Sequence, residues 1–195
     1  NRSVKMVTSA AHVYGKKVIA AEAFTGEAQT SRWMDYPYAL KPLGDLMFTQ
    51  GVNSLYFHRY AHQPNPKAVV GMTMGPWGIN LDRSNTWMMK SKPWMDYLAR
   101  SQYLLRQGDT VADVLFMVSE ESPNQAEYTR PDVNPDSNPM IGQYLKPQMP
   151  GGYQYDLVNA DVLLTRAKVE NGRIVMPDGA SYRMLVLPDT LKSLT

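Results

Sequence analysis

Short apolar runs alternate along this chain with long polar, proline-rich stretches, and the runs predict the elements. Val4, Val7, Ala10, Ala11 and Tyr14 recur at helical spacing, and Gly15 follows as a stop, so the chain opens with a helix. Lys16 to Ala21 predicts a strand, buried along the unbroken run Val18–Ala21, with Glu22 where that run ends. Residues 25–41 read as a long loop carrying Trp33, Tyr36 and Tyr38. Pro42 opens a short helix through Gln50, and Gly51 closes it. Val52–Phe57 is the second strand, running into Arg59-Tyr-Ala-His-Gln-Pro64. Residues 59–83 are a second long loop, and loops of that length inside a compact domain usually carry function. Ser84 is placed as the N-cap of a short helical turn. Pro93–Gln107 forms an amphipathic helix, with Trp94, Tyr97, Leu98, Leu104 and Leu105 on its apolar face and Gly108 at its end.

A second unit starts there. Val111–Val118 reads as a buried strand, and residues 120–152, rich in Pro, Asn, Asp, Gln and Gly, as a loop or insertion. Asn159–Ala167 is a capped helix. Gly172–Pro177 and Tyr182–Pro188 are strands, the first paired as a hairpin with residues 167–170. Strands alternating with helices predict a parallel α/β fold, in two domains at 1–108 and 109–195. The last predicted strand lacks its following helix, so the second domain is expected to be incomplete.

Composition narrows the class. The chain has 195 residues, 44% hydrophobic and 19% charged, a globular balance. Its net charge of +2 is scattered, with no basic patch of the kind that binds nucleic acid. There is no cysteine, hence no disulfide framework and no thiolate metal site. This suits the cytosol and the periplasm equally. No apolar run reaches the roughly 18–20 residues needed to span a bilayer. The chain starts at Asn1 with no leader in view, so a mature or excised piece is expected. No Ser-His-Asp order, P-loop or dinucleotide glycine fingerprint is present.

Two parallel strands with polar groups at their C-terminal ends are how a (β/α)₈ barrel builds an active site. A carboxylate beside Tyr, His, Gln and Trp points to carbohydrate as the substrate class. Glu22 can serve as general base, nucleophile or sugar-binding group, or equally as a helix-capping or salt-bridged surface carboxylate. His58 and His62 flank Tyr60. A His-x-x-x-His pair binds metal on one helical face, but here the flanks read as strand and loop, so hydrogen bonds to sugar hydroxyls, or packing, are expected instead. Trp33, Tyr36, Tyr60 and Trp77 stand in loops where aromatics can stack on sugar rings or pack under the loop. Trp94 shares a helical face with Tyr97 and Leu98 and is assigned to the core. Glu120-Glu121 follows a strand, in the position of a ligand crevice of an open α/β sheet, though solvated loop charges are the favoured reading.

Ala20-Ala-Glu-Ala-Phe-Thr25, the run from Gly51 to Pro64, Gly71-Met-Thr-Met-Gly-Pro-Trp-Gly78 and Asp96–Leu105 resemble family 106 of the glycoside hydrolases, the α-L-rhamnosidases. Val111–Phe116 and Tyr182–Asp189 resemble the part of those proteins that follows the barrel. The resemblance implies the last two βα units of a (β/α)₈ barrel, followed by the start of a flavodoxin-like or amidotransferase-like domain. It implies an inverting enzyme acting on plant or bacterial polysaccharide, periplasmic or secreted, with calcium helping to bind the sugar. Glu22 matches the family's carboxylate on the seventh barrel strand, the general base; His58, Tyr60, His62, Trp77 and Trp33 would bind substrate. A full barrel takes about 250 residues, so the catalytic acid and the other strands would come from the rest of the parent chain, and this segment alone would be inactive. The alternatives are a retaining β-galactosidase-like barrel with Glu22 as nucleophile, and a non-catalytic carbohydrate-binding or scaffold segment.

Overall fold

The structure, a computed structural model, describes residues 2–27, 29–75, 77–118 and 152–187. The predicted loop at 120–152, apart from its last residue, lies outside the described residues, as do Glu120 and Glu121. In chain order the elements are α1 (Arg2–Val13), β1 (Ala20–Ala23), α2 (Pro37–Thr49), β2 (Ser54–Phe57), a 3₁₀ turn (Met88–Lys90) and α3 (Lys92–Leu105). There follow β3 (Val114–Met117), β4 (Tyr155–Val158), α4 (Ala160–Thr165), β5 (Lys168–Glu170), β6 (Arg173–Val175), β7 (Ser181–Tyr182) and β8 (Met184–Val186). The fold is mixed α/β with parallel sheets. Two compact units divide it: Val18–Gly108 forms one, and the described residues up to Lys17 join those from Asp109 onward in the other. One division falls between Gly108 and Asp109, and α1 packs with the residues after it, not with residues 18–108.

In the 18–108 unit, β1 and β2 pair in parallel, from Ala20 opposite Ser54 to Ala23 opposite Phe57. β1 starts later than the apolar run predicts. Asn53 substitutes for ladder bonds at its entry: its side-chain oxygen accepts from Ile19 N at 2.8 Å, while Asn53 N and Ser54 N donate to Ile19 O at 2.9 and 3.0 Å. Val18 is left exposed, and Glu22 stands inside the strand, not after it. α2 begins at Pro37, not Pro42. Pro37 occupies the first turn, where its missing N–H costs nothing, and Pro42 sits inside the helix at the loss of one backbone bond. The core gathers Ala23, Phe24, Leu40, Ile79, Leu81, Trp94 and Leu98. Trp94 lies 5.3 Å from the Phe24 ring and stacks on Phe57 at 5.6 Å, so its assignment to the core holds. Leu104 and Leu105 stay exposed, shortening the predicted apolar face of α3.

In the other unit, β3 is the central strand of a parallel sheet ordered β4-β3-β8. β5 and β6 form the predicted hairpin, extended by β7. Asn159 caps α4 as expected, accepting from Val162 N at 3.1 Å. β4 is an element that the sequence pattern does not signal, and its polar residue, Asp156, organises the unit.

The face that α1 buries is the reverse of the one predicted. Thr8, Ser9 and Val13 are buried, whereas Val7, Ala10 and Tyr14 are exposed. Lys5, Ser9 and His12, spaced along one helical face, all bond Asp156, which is 1% exposed. Lys5 Nζ donates at 3.3 Å, Ser9 Oγ at 3.2 Å, and His12 Nδ1 lies 2.9 and 3.0 Å from the two carboxylate oxygens. Tyr182 donates its hydroxyl at 3.0 Å, and burial pushes that hydroxyl's pKa up, so it stays a donor. A buried carboxylate must be paired, and here the need for donors overrides the hydrophobic pattern of the helix.

That network predicts acid sensitivity. Burial alone would raise the Asp156 pKa, but the His12 hydrogen bond, the His12 and Lys5 charges and the Tyr182 hydroxyl outweigh it and hold it below the ordinary carboxylate value. A depressed folded-state pKa gives stability that is complete above the unfolded value of about 3.9 and is lost as pH falls through the folded value. Melting curves from neutral pH downward should thus lose this contribution only below about pH 4. Asp156→Asn should flatten that acid limb; an acid limb of unchanged steepness in the variant would show that other groups carry it.

Candidate functional site

The parallel register carries Glu22 and His58 to the same end of the 18–108 sheet. Glu22 stands opposite Tyr56 and Ala23 opposite Phe57, and His58 N donates to Ala23 O at 3.2 Å. Side chains alternate across a strand. Ala23 and Phe57 face the aromatic core, so Glu22 and the exposed Tyr56 take the opposite face.

Immediately beyond Glu22 the chain turns sharply. Phe24 is buried with a left-handed φ of 62°, a conformation that costs a bulky residue about 1–3 kcal/mol and persists only where packing enforces it. The Phe57 and Trp94 rings supply that packing, and an added Cβ at Gly44 would sit 3.3 Å from the Phe24 ring. The turn brings Thr25 back to Glu22: its hydroxyl donates to Glu22 Oε1 at 2.6 Å. One oxygen of an exposed carboxylate is thereby oriented, and the other is given no hydrogen bond among the described residues.

Trp77 is brought to the same place by the residue after it. Gly78 has φ 92°, and a Cβ there would meet His58 O at 2.9 Å, so only glycine fits. Gly78 N donates to Gly26 O at 3.0 Å, and Leu81 N to Arg59 O at 3.3 Å. The chain at 77–81 is thus laced to both strand exits. Trp77 is partly exposed, and Tyr60 and His62 are exposed.

His58 is half-buried, and its Nδ1 is buried without a hydrogen-bond partner among the described residues. An orphaned buried nitrogen two positions past the register partner of an exposed carboxylate is a feature that calls for a ligand. Trp33 lies further along the loop that holds Gly26, exposed and with a left-handed φ of 60°; Tyr36 and Tyr38 stack near it in sequence, with ring centroids 6.4 Å apart. The loop is tied down where Trp87 Nε1 donates to Asp35 O at 2.7 Å.

Backbone bonds therefore tie together the segments that carry Glu22, His58 and Trp77, through Ala23–His58 and Gly26–Gly78, and Tyr60 and His62 lie on the segment that leaves His58. Thr25, which orients Glu22, carried no sequence signal beyond its i+3 spacing. Asp82, also unsignalled, is a buried carboxylate accepting from Ser84 N at 2.7 Å and from Gln63 Nε2 at 3.1 Å. Ser84 does not cap a helical turn: its hydroxyl donates to Val70 O, and the 3₁₀ turn Met88–Lys90 starts from Trp87 with no side-chain cap. Calcium takes six to eight oxygen ligands, carboxylates prominent among them. Among the described residues no three His, Asp or Glu side chains gather in such a way. The described residues by themselves do not supply such a carboxylate cluster.

The family model for glycoside hydrolase family 106, described as alpha-L-rhamnosidase, matches residues 1–195. A protein of Formosa agariphila named "Putative beta-glucuronidase" is 38% identical over 189 residues, covering 96% of this chain and 14% of that protein. The solved structure of a rhamnosidase from Novosphingobium sp. PP1Y superposes with a TM-score of 0.76 at 31% identity, covering 94% of this chain and 16% of the other. The chain thus spans about one-seventh of the length of the proteins it matches.

Proposed function

This chain belongs to glycoside hydrolase family 106, the alpha-L-rhamnosidases, and from that premise we propose that Glu22 is the general base of an inverting α-L-rhamnosidase acting on plant or bacterial polysaccharide. The observation that carries the reading is the exposed Glu22 carboxylate, oriented by Thr25, at the same end of two parallel strands as the orphaned His58 nitrogen. Glu22 takes a proton from water as the water attacks the anomeric carbon. His58 and His62 hydrogen-bond sugar hydroxyls, and Tyr60, Trp77 and Trp33 offer ring faces to the sugar. The acid comes from the rest of the parent protein, roughly 6.5–9.5 Å away across the scissile bond. β1 and β2 then count as the last two strands of a (β/α)₈ barrel, whose other strands would pair with their free edges.

The stereochemistry of the first product tests this. Proton NMR of full-length protein hydrolysing an aryl α-L-rhamnoside should show β-L-rhamnose first, before mutarotation. Release of the α-anomer would make Glu22 a nucleophile, with the two carboxyl groups about 5–5.5 Å apart. The isolated 195-residue chain should hydrolyse nothing, since it lacks the acid.

The name of the Formosa agariphila relative favours a second reading, in which the substrate is a β-glucuronide. Full-length protein that cleaves an aryl β-glucuronide and leaves the rhamnoside intact would establish it.

A further inference from the structure

The long loop between His62 and Trp77 is held by three consecutive residues of one turn. Asp82 Oδ2 accepts from Gln63 Nε2 at 3.1 Å, and the same Gln63 amide holds both backbone groups of Met72, donating to its O at 2.7 Å and accepting from its N at 3.1 Å. Arg83 Nη2 donates to Asn65 O at 2.8 Å and Ala68 O at 3.4 Å. Ser84 Oγ donates to Val70 O at 2.7 Å. Gly71, at φ +71°, lies so close to the Gln63 amide that an added Cβ would overlap it.

This stretch has no helix or strand, and Val69 at its tip is 94% exposed. Little packing would hold such a loop by itself. Asp82, by contrast, is 4% exposed, and its turn is closed by Ser84 N and Asn85 N. The fixed end of the device is therefore the Asp82 turn, and the part it fixes is the loop.

We infer that Asp82, acting through Gln63, is a positioning residue: it clips residues 63–72 in place and so sets where His62 and Trp77 stand before the sugar arrives. The role in turnover rests on the glycosidase reading above; the clip itself does not. A loop clipped in this way is ordered before a ligand binds, so binding pays little to order it.

The test uses full-length protein carrying Gln63→Ala, Asp82→Asn or both. Gln63→Ala leaves the buried Asp82 turn intact and so keeps the test open if Asp82→Asn disturbs folding. Hydrogen exchange of the amides at 67–72 should quicken by up to about tenfold in each single variant, the order of one hydrogen bond's net contribution. KM for an aryl α-L-rhamnoside should rise by about tenfold while kcat stays within about threefold, the pattern of lost binding geometry. The double variant should be little worse than either single one, because both break one chain of bonds. Unchanged exchange in Gln63→Ala would overturn the clip. Faster exchange with unchanged KM would overturn the positioning role. A fall in kcat with the loop still protected would also overturn it, since Asp82 would then act on the chemistry directly. Wild-type protein inert toward rhamnosides would refute the glycosidase reading, and the exchange data would still decide the clip.

Discussion

Replacing Glu22 by glutamine in the full-length enzyme should lower kcat by about 10²–10⁴-fold, the usual contribution of a general base. KM should change little. Glutamine keeps the length and shape of the side chain and can still accept the Thr25 hydroxyl, so the turn at Phe24 is undisturbed. What it loses is the capacity to take a proton from water. The measurement is steady-state kinetics on an aryl α-L-rhamnoside, with circular dichroism to establish that the variant is folded. Wild-type turnover would leave Glu22 a binding or structural role and send the search for the base elsewhere.

The largest effect on stability should come from Asp156→Ala. The carboxylate collects Lys5, Ser9, His12 and Tyr182 at one buried point, so its removal strands several donors at once. Removing one partner of a buried charged pair typically costs about 3–5 kcal/mol. At about 1.4 kcal/mol per decade, amides of α1 and β4 protected through this unit's opening should exchange roughly 10²–10³ times faster. Asp156→Asn should cost less, because it retains one acceptor oxygen. A loss under about 1 kcal/mol for Asp156→Ala would mean that water satisfies the four donors and that the network is peripheral to the fold.

Legibility in the sequence followed the range of the interactions. α4 with its Asn159 cap, the β5–β6 hairpin and the core placement of Trp94 were all readable, because periodicity and capping act over a few residues. The adjacency of Glu22 and His58 was readable too, since two apolar runs separated by one helix suggest parallel neighbours. Local chemistry misled at Pro42, which reads as a helix start but sits inside α2, because Pro37 fills the same role one turn earlier. The buried face of α1 was not legible. Its apolar residues have helical spacing, yet the face is chosen by a carboxylate 144 positions away from His12, on a strand with no clear pattern of its own. Gln63 and Asp82 were hidden for a related reason: a polar side chain that bonds backbone leaves no periodic trace.

The unit that contains α1 is made from two separated stretches of chain, with Val18–Gly108 between them. A ribosome delivers them in the wrong order for folding. When α1 emerges, the carboxylate that its polar stripe needs has not yet been synthesised. At about 5–20 residues per second, the 144 positions from His12 to Asp156 take on the order of 7–30 s. During translation α1 is therefore made well before the carboxylate that holds it, and it waits for β4 before it finds a permanent place.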